Sequence, residues 1–150
     1  MSSATIVDTR EDRAALFAKL EDPGTQPEFW ARVSDDVDWT VQGTHPLAGR
    51  YRSKLQFVES TFRRLGGVLS DGVKLELRHL YADGDTVIAE MHSTSTTNEG
   101  ARFANNYCWV CRFDGDMIVD ARAYLDSMMV AYTALRNEGD LARSRSTSWQ

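Results

Sequence analysis

The stretch NYCWVCRFDGDMIVDARAYLDS, residues 106–127, holds two apolar-rich runs separated by Asp114-Gly115. Short runs rich in aromatic and β-branched residues are typical of strands, and Asp-Gly is a strong hairpin signal. The stretch therefore predicts two antiparallel strands, at about 102–113 and 117–125. Asp126 follows the second strand and is predicted to cap a final helix.

A second pair of strands is predicted upstream of this hairpin. After Gly72 the spacing of apolar residues changes from the helical period of about 3.6 to the strand period of 2. Asp83-Gly84 predicts a turn into a strand at about 86–97. Apolar and polar residues alternate in the same way in VDWTV at 37–41, which predicts one more strand earlier in the chain, five in all. One face of the strand after Gly72 is predicted to carry Val73, Leu75, Leu77, His79 and Tyr81.

Helical signals occupy the N-terminal half of the chain. TRED at 9–12 resembles a capping box, and Pro27 suits the first turn of a short second helix. SKLQ at 53–56 is another capping box. It predicts a third helix that ends at Gly66-Gly67. The apolar stripe of this third helix is predicted to hold Leu55, Val58, Phe62 and Leu65.

This order of elements predicts the α+β fold class, with one sheet and its helices on a single face. Consecutive strands joined by tight turns are expected to be antiparallel neighbours. A length of 150 residues predicts one domain over 1–150. Its core is expected at about 8–137, and the polar end at 138–150 is expected to be a loose tail.

Composition narrows the function classes. With 42% hydrophobic and 26% charged residues, the chain is expected to be globular rather than disordered. A net charge of -5 without a basic patch argues against a nucleic-acid partner. No apolar run is long enough to span a bilayer, and the N-terminus has no apolar signal core. These features predict a cytoplasmic protein without a membrane partner.

The two cysteines, Cys108 and Cys111, lie three residues apart on a predicted strand. Residues at that spacing point to opposite faces of a strand, so the sulfurs cannot converge on one ion or on each other. We therefore expect two free structural thiols in a reducing compartment rather than a redox or zinc motif.

The segments at 36–54 and 106–127 resemble the SnoaL-like branch of the NTF2-like superfamily, which includes ketosteroid isomerases, polyketide cyclase-like proteins and limonene epoxide hydrolases. The resemblance covers roughly residues 8–137. It implies a cone-shaped, strongly curved antiparallel sheet wrapped around the N-terminal helices, with a deep apolar pocket open at one end. It also implies a homodimer packed through the outer face of the sheet.

The best-known active sites of this superfamily are not retained here. The two carboxyl positions of ketosteroid isomerases fall on Val41 and Trp109, which can neither move nor donate the required proton. The five polar positions of limonene epoxide hydrolases fall on Trp39, Val41, Glu90, His92 and Ala123. Neither mechanism is carried over.

A different polar set is predicted to face the pocket. By the resemblance, Glu90 and His92 share an inward strand face, and Asn105 and Tyr107 share the inward face of the next strand. His92 would move a proton with Glu90 as its partner, while Tyr107 and Asn105 would polarise the substrate. The pocket wall is predicted to comprise Phe17, Trp30, Trp39, Val41, Phe57, Trp109 and Leu125, with His45 at the mouth.

The leading prediction is an acid–base enzyme without metal or cofactor, of isomerase, cyclase or dehydratase (lyase) type. Its substrate would be a hydrophobic, oxygenated small molecule. The main alternative is a binding protein that holds such a ligand without catalysis, and a protein-interaction module is a third. A hydrogen-bonded core pair of Glu90 and His92, or a metal site on these residues with one more ligand, also stays open.

Overall fold

Helices come first and long strands last in residues 9–135, the part of the chain that the computed structural model describes. The predicted tail at 138–150 lies outside these residues. None of the helices described is long and apolar enough to cross a membrane. In chain order the elements are α1 (Arg10–Ala18) with a 3-10 turn (Lys19–Glu21), α2 (Gln26–Trp30), β1 (Val33–Val41), β2 (Gly49–Tyr51), α3 (Lys54–Ser60), α4 (Phe62–Gly66), β3 (Glu76–Asp83), β4 (Thr86–Thr96), β5 (Arg102–Asp114), β6 (Met117–Leu125) and a π-type helix, α5 (Met129–Leu135).

The six strands form one curved, open sheet in the order β2-β1-β6-β5-β4-β3. Every neighbouring pair is antiparallel except β1 with β6, which is parallel. β6 pairs with the edge of β1 that β2 leaves free, and it runs in the same direction as β1. The α+β class predicted from the sequence is confirmed.

Alternation along the strands gives the sheet a buried inner face. On β5, the side chains of Asn105, Tyr107, Trp109 and Cys111 are buried, and the residues between them are half-buried or exposed. This inner face of β5 agrees with the sequence prediction. Because Cys108 points the other way, the two thiols are separate and free, also as predicted.

Small residues beside the two central tryptophans make room for their rings. Trp109 on β5 lies between Ala89 on β4 and Ala123 on β6, and Trp39 on β1 pairs with Ala121 on β6. The two indole rings meet edge to face, with centroids 5.0 Å apart. Burying an aromatic side chain of this kind contributes roughly 2–3 kcal/mol, so these rings anchor the sheet to the helical layer.

Side-chain caps define the starts of α1 and α3, as the sequence predicts. The Thr9 hydroxyl accepts from the Asp12 backbone N–H at 3.0 Å, and the Asp12 carboxylate accepts from the Thr9 N–H at 2.9 Å. The Ser53 hydroxyl accepts from the Gln56 N–H at 3.0 Å, although the Gln56 amide oxygen accepts from Arg52 instead of Ser53. The second box is therefore only half formed.

The predicted third helix is divided into two. Its interruption falls at Thr61, where the backbone leaves the helical region (φ -122°, ψ -73°). The Thr61 hydroxyl donates to the Phe57 carbonyl at 2.7 Å, a local bond that competes with regular helix geometry. The predicted stripe is wrong at Leu55, which is 71% exposed, and Phe57 is buried in its place.

A pairing irregularity changes the face of β3. The register between β3 and β4 shifts between Leu77 and His79, so the inward residue after the shift is Leu80. His79 and Tyr81 are exposed on the outer face. The prediction that they share a face with Val73 and Leu75 was wrong, because one extra residue in a strand reverses every later side chain.

A buried arginine joins α1 to the β3–β4 hairpin. The Arg13 side chain donates to the Gly84 carbonyl at 3.0 Å, and its guanidinium carbon lies 4.4 Å from the Phe113 ring centroid. Burial makes both contacts stronger than they would be in water. Arg13 thus fixes how the first helix lies on the edge of the sheet.

We expect Arg13→Ala to lower the free energy of unfolding by about 2 kcal/mol, because it removes a charged hydrogen bond and a cation–π contact. Urea unfolding followed by circular dichroism measures the change. Arg63→Ala is the matched control, since the Arg63 side chain is 72% exposed and its ion pair with Glu59 lies at the surface. Equal losses for both variants would contradict the assignment.

Candidate functional site

A small apolar cavity lies between the inner face of the sheet and helices α3 and α4. Its volume is about 30 Å³, enough for one or two waters. Drug-sized ligands occupy pockets of roughly 300–1,000 Å³, so the interior is nearly closed in this conformation. The cavity is lined by Val41, Leu47, Phe57, Thr61, Phe62, Leu65, Val73, Leu75, Tyr107, Trp109, Ala123 and Leu125.

Several polar groups on the inner side of the sheet are buried without a hydrogen-bond partner in the described part of the chain, and two of them belong to cavity-lining residues, Tyr107 and Trp109. Leaving such a group unpaired costs about 1–3 kcal/mol, so folded proteins contain few of them. Each of these groups can donate a hydrogen bond. They are Trp39 Nε1, Ser93 Oγ, Asn105 Nδ2, the Tyr107 hydroxyl and Trp109 Nε1.

The strand register places these donors along one strip of the inner face. Ser93 on β4 lies opposite Asn105 on β5. Tyr107 and Trp109 follow Asn105 at two-residue spacing on the same strand face. Trp39 reaches the same strip through its edge-to-face contact with Trp109. The interior is therefore rich in donors at one place.

The orientation of the Asn105 amide is set by the chain that follows β6. Its oxygen, Oδ1, accepts from the Asp126 backbone N–H at 3.0 Å. Because a backbone N–H must face an acceptor, the amide nitrogen Nδ2 is the end left unpartnered. Asp126 is itself held by its carboxylate, which accepts from the Met129 N–H at 3.2 Å and caps the last helix as predicted.

Tyr107 is a neutral donor in this setting. Burial raises the pKa of its phenol well above the usual range, and the nearby Asn105 side chain only partly opposes that effect. The Asn105 amide does not form a hydrogen bond of good geometry with the hydroxyl, which stays unpartnered. Tyr107 can therefore polarise an oxygen atom but cannot act as a base near neutral pH.

The predicted pocket wall separates into residues that line the cavity and residues behind it. Val41, Phe57, Trp109 and Leu125 line it. Trp39 stacks on Phe57, with centroids 4.2 Å apart, and supports that wall. The remaining predicted wall residues are placed further out: Trp30 is half-buried against Phe62, and Phe17 packs against Phe29.

Glu90 and His92 lie on the outer face of the sheet, not in the cavity. In the β4–β5 register Glu90 pairs with Cys108 and His92 with Asn106, and these partners point outward. Met91, which alternates with them, is buried. The predicted inward face of β4 was wrong by one residue, which reverses a strand. The better signal in the sequence was the apolar run Val87, Ala89 and Met91 on the opposite face.

His92 and Glu90 have different neighbours on that outer face. The His92 ring nitrogen Nδ1 lies 2.7 Å from the Asn106 amide oxygen. Glu90 pairs across the sheet with His79 and Cys108, and burial together with the Glu90 charge raises the pKa of the Cys108 thiol. Glu90, His79 and Cys108 line an open outer groove of about 750 Å³, and His92 does not.

His45 is locked inside the loop after β1. Its Nδ1 accepts from the Leu47 N–H and its Nε2 donates to the Gln42 carbonyl, each at 3.1 Å. Burial lowers the pKa of this imidazole, so it is held neutral. Both ring nitrogens face backbone, and the ring lines none of the cavities described in residues 9–135. The sequence predicted His45 at the mouth of the pocket, whereas the structure places its ring inside the loop, where it binds the loop backbone.

No three His, Cys, Asp or Glu side chains in residues 9–135 are grouped closely enough to hold a metal ion. His79, His92 and Glu90 face outward on neighbouring strands without forming such a group. The metal alternative for Glu90 and His92 therefore has no support from their positions.

We expect stability to depend on pH through His45. Because the folded pKa of His45 is lowered, the unfolded chain, with a pKa near about 6.5, binds the proton more readily. The free energy of unfolding is then highest above about pH 7 and falls as the pH drops through 6.5. Thermal unfolding between pH 7.5 and 5 measures this slope.

His45→Gln keeps a neutral donor and acceptor and is expected to reduce the pH slope. His79→Gln, at an exposed position, is the control and should leave the slope in place. An unchanged slope in His45→Gln would show that another group carries the pH dependence.

Comparison with known proteins identifies the class. A family model of the SnoaL-like domain matches residues 14–121. The dimerizing cyclase phiC of Fungal sp. (strain ATCC 74256) is 32% identical over 71% of this chain and 49% of that protein. The dimerizing cyclase tstC of Talaromyces stipitatus is 32% identical over 69% of this chain and 48% of that protein. The chain thus spans about half the length of these curated relatives.

Solved structures agree with this match. An NTF2-like protein from Burkholderia thailandensis superposes with a TM-score of 0.66 at 30% identity, covering 78% of this chain and 92% of that one. Bal32a, from a soil-derived mobile gene cassette, gives a TM-score of 0.64 at 21% identity, covering 80% and 88%, and shows the fold alone. The chain belongs to the SnoaL-like domain family and has the NTF2-like fold, which confirms the resemblance inferred from the sequence.

Proposed function

We propose that this protein is a cofactor-free enzyme of the cyclase or isomerase type. It would bind the oxygenated end of a hydrophobic small molecule at the inner donor strip defined by Trp39, Ser93, Asn105, Tyr107 and Trp109. The observation that carries the proposal is that these buried groups lack hydrogen-bond partners and that two of the five residues, Tyr107 and Trp109, line an apolar cavity. A carbonyl oxygen of a ligand in the cavity would supply the missing acceptor for Tyr107 or Trp109, the two donors whose residues line it.

Donors in a dry interior act most strongly on charge that develops during a reaction. When a carbonyl compound loses an α-proton, here to solvent or to a basic group of the substrate itself, its oxygen gains negative charge, and fixed N–H and O–H groups stabilise that charge without reorganising. The residues lining the cavity include neither a carboxylate nor an imidazole. Tyr107 and Asn105 keep the polarising role proposed from the sequence, whereas His92 and Glu90 lie on the wrong face to move the proton.

The relatives support the reaction class. Both curated relatives are named as cyclases, and the aligned part covers most of this chain. Ring closure next to a carbonyl needs stabilisation of an enolate-like oxygen, which the donor strip can supply. We therefore favour cyclisation over the other reactions considered.

A non-catalytic carrier is the second candidate. The absence of a base among the cavity-lining residues favours it, since proton removal next to a carbonyl ordinarily needs one. A carrier and an enzyme would share the same contacts to the ligand oxygen. They differ in whether a bound carbonyl compound exchanges its α-protons with solvent faster than it does in buffer.

Tyr107→Phe tests the donor strip. The change removes one unpartnered hydroxyl and keeps the ring, so stability should be unchanged or slightly raised. Affinity for small cyclic ketones and lactones should fall about tenfold, the value of one neutral hydrogen bond. Thermal shift and isothermal titration calorimetry measure the two effects.

Tyr124→Phe, on the outer face, is the matched control and should change neither quantity. Equal affinity in wild type and Tyr107→Phe would contradict the proposed site. Deuterium exchange of a bound ketone, followed by NMR, separates the enzyme from the carrier.

The homodimer expected from the resemblance would use the outer face of the sheet. Tyr81 is 53% and Tyr124 43% exposed there. The same face carries charges of both signs, in the Arg50–Asp38 pair at 2.6 Å and the Arg112–Asp120 pair at 3.0 Å. A face that carries both signs can complement itself across a twofold axis.

Tyr124→Glu is expected to weaken such a dimer at least tenfold, because it buries an unpaired charge at the interface. Sedimentation equilibrium measures the dissociation constant. Leu55→Glu, on the helical side, is the control. A wild-type mass of one chain at all concentrations would contradict the dimer. The cytoplasmic location stays part of the proposal and agrees with the free thiols of Cys108 and Cys111.

A further inference from the structure

A second apolar groove lies directly outside the inner cavity. It has a volume of about 320 Å³ and opens between α2, α3, α4 and the segment before β3. Most of its wall is proline, aromatic and aliphatic. Its lining consists of Pro23, Gln26, Pro27, Trp30, Val58, Phe62, Arg63, Gly72 and Val73.

Two side chains separate this groove from the cavity. Phe62 and Val73 line both spaces, so each presents one side to the interior and the other to the groove. The Phe62 ring also packs against Trp109, with centroids 6.3 Å apart. Displacing Phe62 would therefore join the groove to the side of the cavity that Trp109 lines.

The Val73 side of this wall is firmly held. The Gln26 side chain donates to the Val73 carbonyl at 2.6 Å and to the Leu20 carbonyl at 3.0 Å. The Leu75 N–H donates to the same Leu20 carbonyl at 3.0 Å. These bonds tie the segment to the first helices and leave it little freedom.

The start of α4, on the Phe62 side, has no side-chain cap, although the Phe62 ring packs against Trp30, Phe57 and Trp109. Phe62 is the first residue of α4, a helix of only five residues that has no side-chain N-cap. It follows the break at Thr61 and precedes Gly66-Gly67. Short, uncapped helical turns between irregular residues open at low free-energy cost. The moving part of the wall is therefore α4 with its Phe62 ring.

We propose that Phe62 is a gate, and that the groove behind it binds the apolar chain of the same small molecule whose oxygen meets the donor strip. The inference rests on the proposed function and names its substrate class: an elongated carbonyl compound with a linear apolar substituent. Adjacency supports this occupant. The cavity alone is far below the volume of a ligand pocket, and the groove is apolar space that shares the wall residues Phe62 and Val73 with it.

A series of 2-alkanones from 2-butanone to 2-decanone tests the groove, with binding followed by tryptophan fluorescence. In wild type, affinity should rise about fourfold for each added methylene, the value of burying one CH2 group. Val58→Trp fills the groove without touching the cavity and should stop this rise after the shortest ketones. Leu55→Trp, on the exposed side of the same helix, is the matched control and should keep it.

Phe62→Ala tests the gate, since removing the ring should raise the association rate constant of 2-decanone at least tenfold in stopped-flow fluorescence. The inference is overturned if affinity rises equally with ketone length in Val58→Trp and in wild type. It is also overturned if the association rate constant of 2-decanone is unchanged in Phe62→Ala. In either case binding of short ketones that depends on Tyr107 leaves the proposed function standing. Failure of every ketone to bind in a Tyr107-dependent way overturns both.

Discussion

The packing of Trp39 and Trp109 over the alanines of the central strands governs the rest of this structure. Ala89, Ala121 and Ala123 leave space above the sheet, and the two indole rings fill it. Phe57 then stacks on Trp39, and Phe62 and Trp30 complete the aromatic layer. These rings set the distance between the helices and the sheet. The small cavity lies beside this aromatic layer, with Phe57, Phe62 and Trp109 in its wall.

The same packing gives the interior its chemistry. Indole rings fill volume, but each carries one N–H that must find an acceptor when it is buried. Trp39 and Trp109 find none among the described residues, and Asn105 and Tyr107 add further donors beside them. The core therefore bears a cost in stability at the place where a ligand oxygen would relieve it. Buried polar groups that lack hydrogen-bond partners, at a cost in stability, are typical of functional sites.

The two faces of the sheet carry different kinds of polar groups. Charged residues and histidines that suit acid–base chemistry face outward, among them Glu90, His79 and His92. Neutral donors face inward. Residues suited to acid–base chemistry are therefore separated by the sheet from the inner donors.

Much of the fold was predictable from local pattern. The strands of β4, β5 and β6, their Asp-Gly turns, the caps at Thr9 and Asp126, and the inward face of β5 all follow from spacing and turn chemistry. The prediction was wrong at β4, at His79 and Tyr81, and at Leu55. On β4 the apolar alternation of Val87, Ala89 and Met91 marked the correct face. At His79, Tyr81 and Leu55 a register shift or a helix break moved the side chains, and neither leaves a clear trace in a single sequence.

The sequence by itself determined the fold class and the family, because strand alternation, hairpin signals and helix caps are local properties of the chain. Only the tertiary structure decided which polar residues meet. Pairing across β4 and β5 placed Ser93 opposite Asn105 and turned His92 away, and the approach of α4 to the segment at Val73 nearly closed the cavity. Those outcomes depend on contacts between residues far apart in the chain, whose relative positions are set only when the sheet and helices pack together.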